Sequence, residues 1–227
     1  MKQKFTILFD LDGTLVDTAP DLMLAHNHVM KKFGYPTKST EDIRNLVGKG
    51  AGALIGRSIW GQAKKEFSKV LDVKIKDEMV KEFVNFYGKN IVNESTLVTG
   101  VKDFLIWCKE QNISMAVCTN KQEHLSNDLL KKIGIYDFFE YVAGSDTFDY
   151  CKPDPRHLTN VVEILDGDVK KTIMIGDSET DANAAKAAEI PVILLENGYT
   201  EKNTTEIYHN HLIKDFVDIE KIIKKYL

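Results

Sequence analysis

A chain of 227 residues, 43% hydrophobic and 28% charged with a formal net charge of −4, can bury a core for one large domain or two modest ones. No basic run interleaves with aromatics, which argues against nucleic acid as a partner, and no apolar stretch nears the roughly 20 residues of a membrane helix. The N-terminal MKQKFTILFD reaches an aspartate too soon for a signal peptide, and the three cysteines, Cys108, Cys118 and Cys151, have no metal-like spacing, which predicts reduced thiols and a cytoplasmic protein.

The first element is FTILF at 5–9, a short run without polar alternation, as expected of a strand buried on both faces of a parallel sheet. It opens onto DLDGTLVD, which gathers Asp10, Asp12 and Asp17 around Gly13 and Thr14. From residue 18 to about 88 no strand is predicted. Leu22, His26, Val29, Met30 and Phe33 recur at helical spacing, and so do Met79, Val80, Phe83, Val84 and Tyr87. Between them lies LVGKGAGALI at 46–55, where Lys49 sits between two glycines, with Arg57 just beyond. A crossover between parallel strands needs only about a dozen residues, so this interruption predicts an inserted helical domain.

After it the pattern alternates. A helix is predicted over 101–110, a strand over SMAVC at 114–118, and a helix over 123–133 stopped by Gly134. Further strands are predicted at YVAG (141–144), TIMIG (172–176) and PVILL (191–195), with DANAAKAA suited to close helix-on-sheet packing. The tail DFVDIEKIIKKYL reads as a closing amphipathic helix. The expected fold is α/β: a doubly wound, Rossmann-like parallel-sheet core formed by 1–16 and 89–227, with a small helical cap inserted at 17–88.

Ligands of such sheets bind beyond the carboxyl ends of the strands. The first strand delivers Asp10, Asp12, Gly13 and Thr14 there; the second delivers Thr119 and Asn120. Lys152, Pro153 and Asp154 follow the third, and Asp177, Ser178 and Asp181 follow the fourth. Each group is of a type that handles a phosphate or a divalent metal.

At these positions the chain resembles the haloacid dehalogenase superfamily, and in particular its phosphatases. DLDGT at 10–14, Thr119 in CTN, Lys152 in CKPDP and GDSETD at 176–181 match the four motifs, and the inserted helices match the cap. LVGKGAGALI and TNK at 119–121 are similar to the phosphoglycolate phosphatases within it. The resemblance implies that Asp10 is a nucleophile forming an aspartyl-phosphate, with Asp12 as general acid and base and Lys152 neutralising charge. It implies Mg²⁺ held by Asp10, Asp177 and the backbone carbonyl of Asp12, with Asp181 behind them. Thr14, Thr119, Asn120 and Lys49 are the expected substrate contacts, Arg57 a weaker one, and the expected partner is a small phosphorylated metabolite, 2-phosphoglycolate first.

Other capped members of the superfamily stay open: a pyrophosphatase, a nucleotide or sugar-phosphate phosphatase, or a phosphomutase. Asp12 disfavours dehalogenases and phosphonatases. From another class, a phospho-accepting signalling module also joins aspartate, threonine, lysine and Mg²⁺ on a doubly wound sheet, but it carries its reactive aspartate on a later strand and lacks a large cap. Whether the chain is a monomer or a homodimer is open at this stage.

Overall fold

The computed structural model describes residues 4–60 and 70–227. The chain enters through β1 (Thr6–Phe9), all of it buried, and then forms the short β2 (Val16–Asp17). Among the described residues four helices follow: α1 (Ala19–Phe33), α2 (Thr40–Arg44), α3 (Ala51–Trp60) and α4 (Val70–Lys89). Pro20 near the start of α1 and the left-handed Gly34 at its end mark the limits of that helix. The return to the core runs through β3 (Thr96–Leu97), which pairs antiparallel with β2, so two short strands link cap and core.

The core continues with α5 (Val101–Glu110), β4 (Ser114–Cys118), α6 (Glu123–Ile133), β5 (Tyr141–Ala143), α7 (Arg156–Ile164), β6 (Thr172–Gly176), α8 (Glu179–Ala187), β7 (Val192–Leu195), β8 (His211–Ile213) and α9 (Glu220–Ile223). Six parallel strands lie in the order β5-β4-β1-β6-β7-β8. The sheet therefore grows from β1 first to one side and then to the other. Phe9 is in register with Val117 and with Ile175, which brings the residues after β1, β4 and β6 to one level beside this switch point.

Alternate residues of the strands feed two apolar clusters. Ile7, Phe9, Val117 and Ile175 join one that runs on into the cap through Leu22, Leu54 and Phe83; Leu8, Ala116 and Met174 join the other, where Ala182 and Ala185 let α8 lie close to the sheet. Strands buried on both faces explain the unbroken apolar runs.

The structure corrects the expected tail helix. Only Glu220–Ile223 is helical, because Asp218 takes a positive φ of 63° and the amide of Phe216 is drawn to the carbonyl of Thr99 at 3.0 Å. β8, β2 and β3 lie outside the predicted strands; three- and two-residue pairings carry too little periodicity to be seen in a sequence.

One buried carboxylate ties the cap's first helix to the returning chain. Asp21, on the first turn of α1, accepts N–H bonds from Asn93 (3.0 Å), Glu94 (3.0 Å) and Ser95 (2.9 Å) and the Ser95 hydroxyl at 2.6 Å. Removing it strands the buried amide and hydroxyl of Ser95 and releases the amides of Asn93 and Glu94. Asp21→Ala should therefore lower unfolding stability by about 3 kcal/mol in urea titrations, and Asp21→Asn, which keeps one acceptor oxygen, by less.

Candidate active site

At the switch point three carboxylates crowd together. Oxygens of Asp10, Asp177 and Asp181 all lie within 4.8 Å of one another, and all three residues are buried. Lys152 enters from the loop before α7, with its Nζ 3.0 Å from Asp10 and 2.5 Å from Asp181. Burial pushes the Asp10 carboxyl up to about 6, against the pull of Lys152 and with the help of Asp181. Burial, with Asp10 and Asp181 beside it, drives Asp177 well above the ordinary carboxylate range. Lys152 stays charged, because the two acids facing it outweigh its own burial.

The three acids are held differently. Asp181 closes a capping box at the start of α8. One of its oxygens accepts from the Ser178 amide (3.1 Å), the Ser178 hydroxyl (2.7 Å) and the Asp177 amide (3.2 Å), while the other takes Lys152. Asp177 accepts the Tyr199 amide at 2.6 Å and the Thr14 hydroxyl at 3.3 Å, and Asp10 accepts the Leu11 amide at 2.7 Å. Gly13, at a φ of +83°, lies so close to Asp177 and the Tyr199 ring that a Cβ there would collide with both. Asp10 and Asp177 thus present oxygens to a space that one ammonium does not neutralise. An all-oxygen donor set of this charge fits a hard divalent cation such as Mg²⁺.

Asp12, two residues beyond Asp10, has a different set of partners. It accepts the Thr18 hydroxyl at 2.7 Å and is gripped through both oxygens by Lys121, at 2.8 and 2.9 Å. Lys121 is itself buried and lies 4.4 Å from the ring centre of Tyr87 on α4. Asp10, Asp12, Thr119, Asn120 and Lys121 line a cavity of about 250 Å³, roofed from the cap by the 47–50 loop and the start of α3, Leu54, Phe83 and Tyr87.

Thr119 is buried in this wall, and its hydroxyl accepts the Lys121 amide at 3.2 Å. Asn120 spends its amide hydrogens on the Gly48 carbonyl (3.1 Å) and the Lys152 carbonyl (2.9 Å), so it joins the cap loop to the lysine-bearing loop. Thr14, expected at the substrate, points its hydroxyl at Asp177. Lys49 is exposed at the cavity's edge, and Arg57 pairs with Glu201 and caps the carbonyls of Asn45 and Leu46.

Sequence reasoning missed Tyr199. Its hydroxyl donates to Asp17 and accepts the Ala19 amide at 2.9 Å, and Arg44 lies over its ring while pairing with Asp17 at 2.7 Å. It follows β7 with no charged or glycine-framed signature, and its contact with Asp177 is made by backbone, which any residue offers. Lys121 was visible only as the last letter of TNK.

A family model described as Haloacid dehalogenase-like hydrolase matches residues 7–195. The chain is 38% identical to a phosphoglycolate phosphatase of Mesorhizobium japonicum over 92% of its own length and 90% of that protein's. It is equally 38% identical to one of Caulobacter vibrioides, covering 95% and 89%. The crystal structure of a predicted phosphoglycolate phosphatase from Haemophilus somnus superimposes with a TM-score of 0.88 at 31% identity, covering 98% of this chain and 99% of that one.

Tyr199→Phe leaves the buried Ala19 amide without its acceptor and should cost about 1–3 kcal/mol of stability, read as a lowered thermal midpoint. Arg44 and Tyr199 together outweigh burial and hold the Asp17 carboxyl below its usual range. That contribution is present above about pH 4 and lost as pH falls through the folded value, so the variant should also show a shallower acid limb in a stability–pH profile.

Proposed function

The chain belongs to the haloacid dehalogenase-like hydrolases, and from that premise we propose that it is a Mg²⁺-dependent phosphomonoesterase whose substrate is 2-phosphoglycolate. The observation that carries this reading is the pair Asp10 and Asp12. They are two residues apart, with Asp10 set against Lys152 and Asp12 against Lys121, and both open on one cavity. An apolar cavity of roughly 150 Å³ holds benzene, with six non-hydrogen atoms, so about 250 Å³ suits a ligand of about ten. 2-Phosphoglycolate has nine, and the relatives named above as phosphoglycolate phosphatases support the same substrate.

An oxygen of Asp10 attacks phosphorus as the ester oxygen departs, giving an aspartyl-phosphate. The carboxyl proton of Asp12 passes to the departing glycolate oxygen. The Asp12 carboxylate then takes a proton from the water whose oxygen attacks phosphorus, releasing phosphate and restoring both aspartates. Lys152 neutralises charge on the transferring group, and the Thr119 hydroxyl binds one of its oxygens. Asp10, Asp177 and the carbonyl of Asp12 would hold Mg²⁺, with Asp181 orienting Asp177 and Lys152; the ion supplies positive charge against the phosphoryl oxygens. Residues 17–88 act as the cap that excludes water. Among the described residues no helix is long and apolar enough to cross a membrane, which accords with action on a soluble metabolite in the cytoplasm.

Two measurements test this. Asp10→Asn should retain the fold, by circular dichroism, and lose more than about 99% of turnover; EDTA should silence the wild type and added Mg²⁺ restore it. Full activity without a divalent ion would remove the metal from the reading. Asp12→Asn should slow turnover about 10²–10⁴-fold. With p-nitrophenyl phosphate, whose leaving group needs little protonation, rapid-quench sampling of that variant should show phosphoenzyme accumulating. Wild-type rates in both steps would exclude Asp12 as acid and base.

A further inference from the structure

We infer that Lys121 is the specificity-determining residue for the substrate's carboxylate, binding it beside Asp12. This rests on the reading of Asp12 as the group that protonates the leaving oxygen. In glycolate the carboxylate carbon is two bonds from that oxygen. A group already bonded to Asp12 is therefore within reach of the carboxylate when the ester oxygen meets Asp12.

Lys121 is that group. Its ammonium carries three N–H donors and contacts Asp12 at 2.8 and 2.9 Å, leaving one donor for the cavity that both residues line. Among the described residues lining this cavity the basic side chains are Lys121 and Lys49. The rest of the cap wall is largely apolar, with Leu22, Leu54, Phe83 and Val84, and among the described residues the Tyr87 hydroxyl, buried without a hydrogen-bond partner, is its one neutral side-chain donor beside Lys121. The two lysines differ in solvation. The Lys121 side chain is 5% exposed and lies against the Tyr87 ring, whereas Lys49 is exposed on its glycine-flanked loop. An ammonium shielded from water discriminates between a carboxylate and a methyl group far better than one that water already serves. The cap contributes through Tyr87, which fixes the lysine's approach, and Lys49 stays at the edge.

Binding can be read apart from turnover with two inhibitors whose P–C bonds are not hydrolysed. 3-Phosphonopropionate keeps the carboxylate of 2-phosphoglycolate, and n-propylphosphonate replaces it with a methyl group. Wild-type enzyme should bind the first about 10- to 150-fold more tightly, measured by competitive inhibition and by calorimetry. Lys121→Met should bring that ratio close to one, Lys121→Arg should restore part of it, and Lys49→Met should leave most of it. Lys121→Gln, which keeps a donor for Asp12, provides a second neutral variant should the methionine fail to fold, and it should lose the ratio too. The ratio of kcat/KM for 2-phosphoglycolate over ethyl phosphate should move in parallel. No wild-type preference for the carboxylate, a preference that survives both neutral variants, or one that Lys49→Met abolishes instead would each overturn the assignment. Absence of phosphatase activity in the wild type would sink the proposed function, while the calorimetric ratio would still report on Lys121.

Discussion

The ammonium of Lys152 is what permits this site to exist. It is buried between Asp10 and Asp181, and around it three buried carboxylates approach within 4.8 Å of one another. Loss of one partner from a buried ion pair costs about 3–5 kcal/mol, because the remaining charge is left uncompensated. The surrounding structure answers to this constraint. Asp181 is fixed by the α8 capping box, so it can hold Lys152 in turn, and Asn120 fastens the carbonyl of Lys152 itself. One ammonium does not balance three acids, and the surplus negative charge on the Asp177 side makes the position suited to a cation.

The second lysine organises the opposite wall in the same way. Lys121 offsets Asp12 as Lys152 offsets Asp10, so two neighbouring aspartates on one strand end sit in separate electrostatic surroundings. That separation gives chemically identical side chains different partners and different surroundings. Lys121 also touches Tyr87 of the cap, and Asp12 also takes the hydroxyl of Thr18 where the chain leaves for α1. Asp12 is therefore positioned by contacts that depend on where the cap sits, whereas Asp10 is positioned by core residues alone.

What the sequence disclosed follows from how each feature is encoded. The strands at 114–118 and 172–176 and the helices at 101–110 and 123–133 were legible to the residue, because burial on both faces or on one stripe writes itself into apolar spacing. Asp10, Asp12, Lys152 and Asp177 were legible because charged residues at the ends of apolar runs have few structural reasons to be there. Asp21 and Tyr199 were not. Asp21 acts on backbone amides and a hydroxyl more than seventy residues away, and Tyr199 acts through its own amide on Asp177 and its hydroxyl on Asp17 and Ala19. Neither leaves any periodicity. Asn120 and Thr14 were read as facing a substrate because both lie at strand ends; their bonds to Gly48, Lys152 and Asp177 make them fasteners between parts of the site.

These fasteners give the cap a physical role beyond covering the cavity. Gly48 is bound to Asn120, Tyr87 lies against Lys121, Arg44 lies over Tyr199, and Tyr199 reaches Asp177 through its own amide. Every one of these cap contacts ends on a residue that touches Asp12, Lys152 or Asp177. Water admitted by a displaced cap would weaken the Lys121 pair and loosen Asp12, since an ion pair loses most of its strength as the local dielectric rises. Shielding of the cavity and placement of Asp12 are thus consequences of one arrangement. A chain that spends some seventy residues on an insertion between its first two core strands gains by it a carboxylate, Asp12, whose surroundings depend on where that insertion sits.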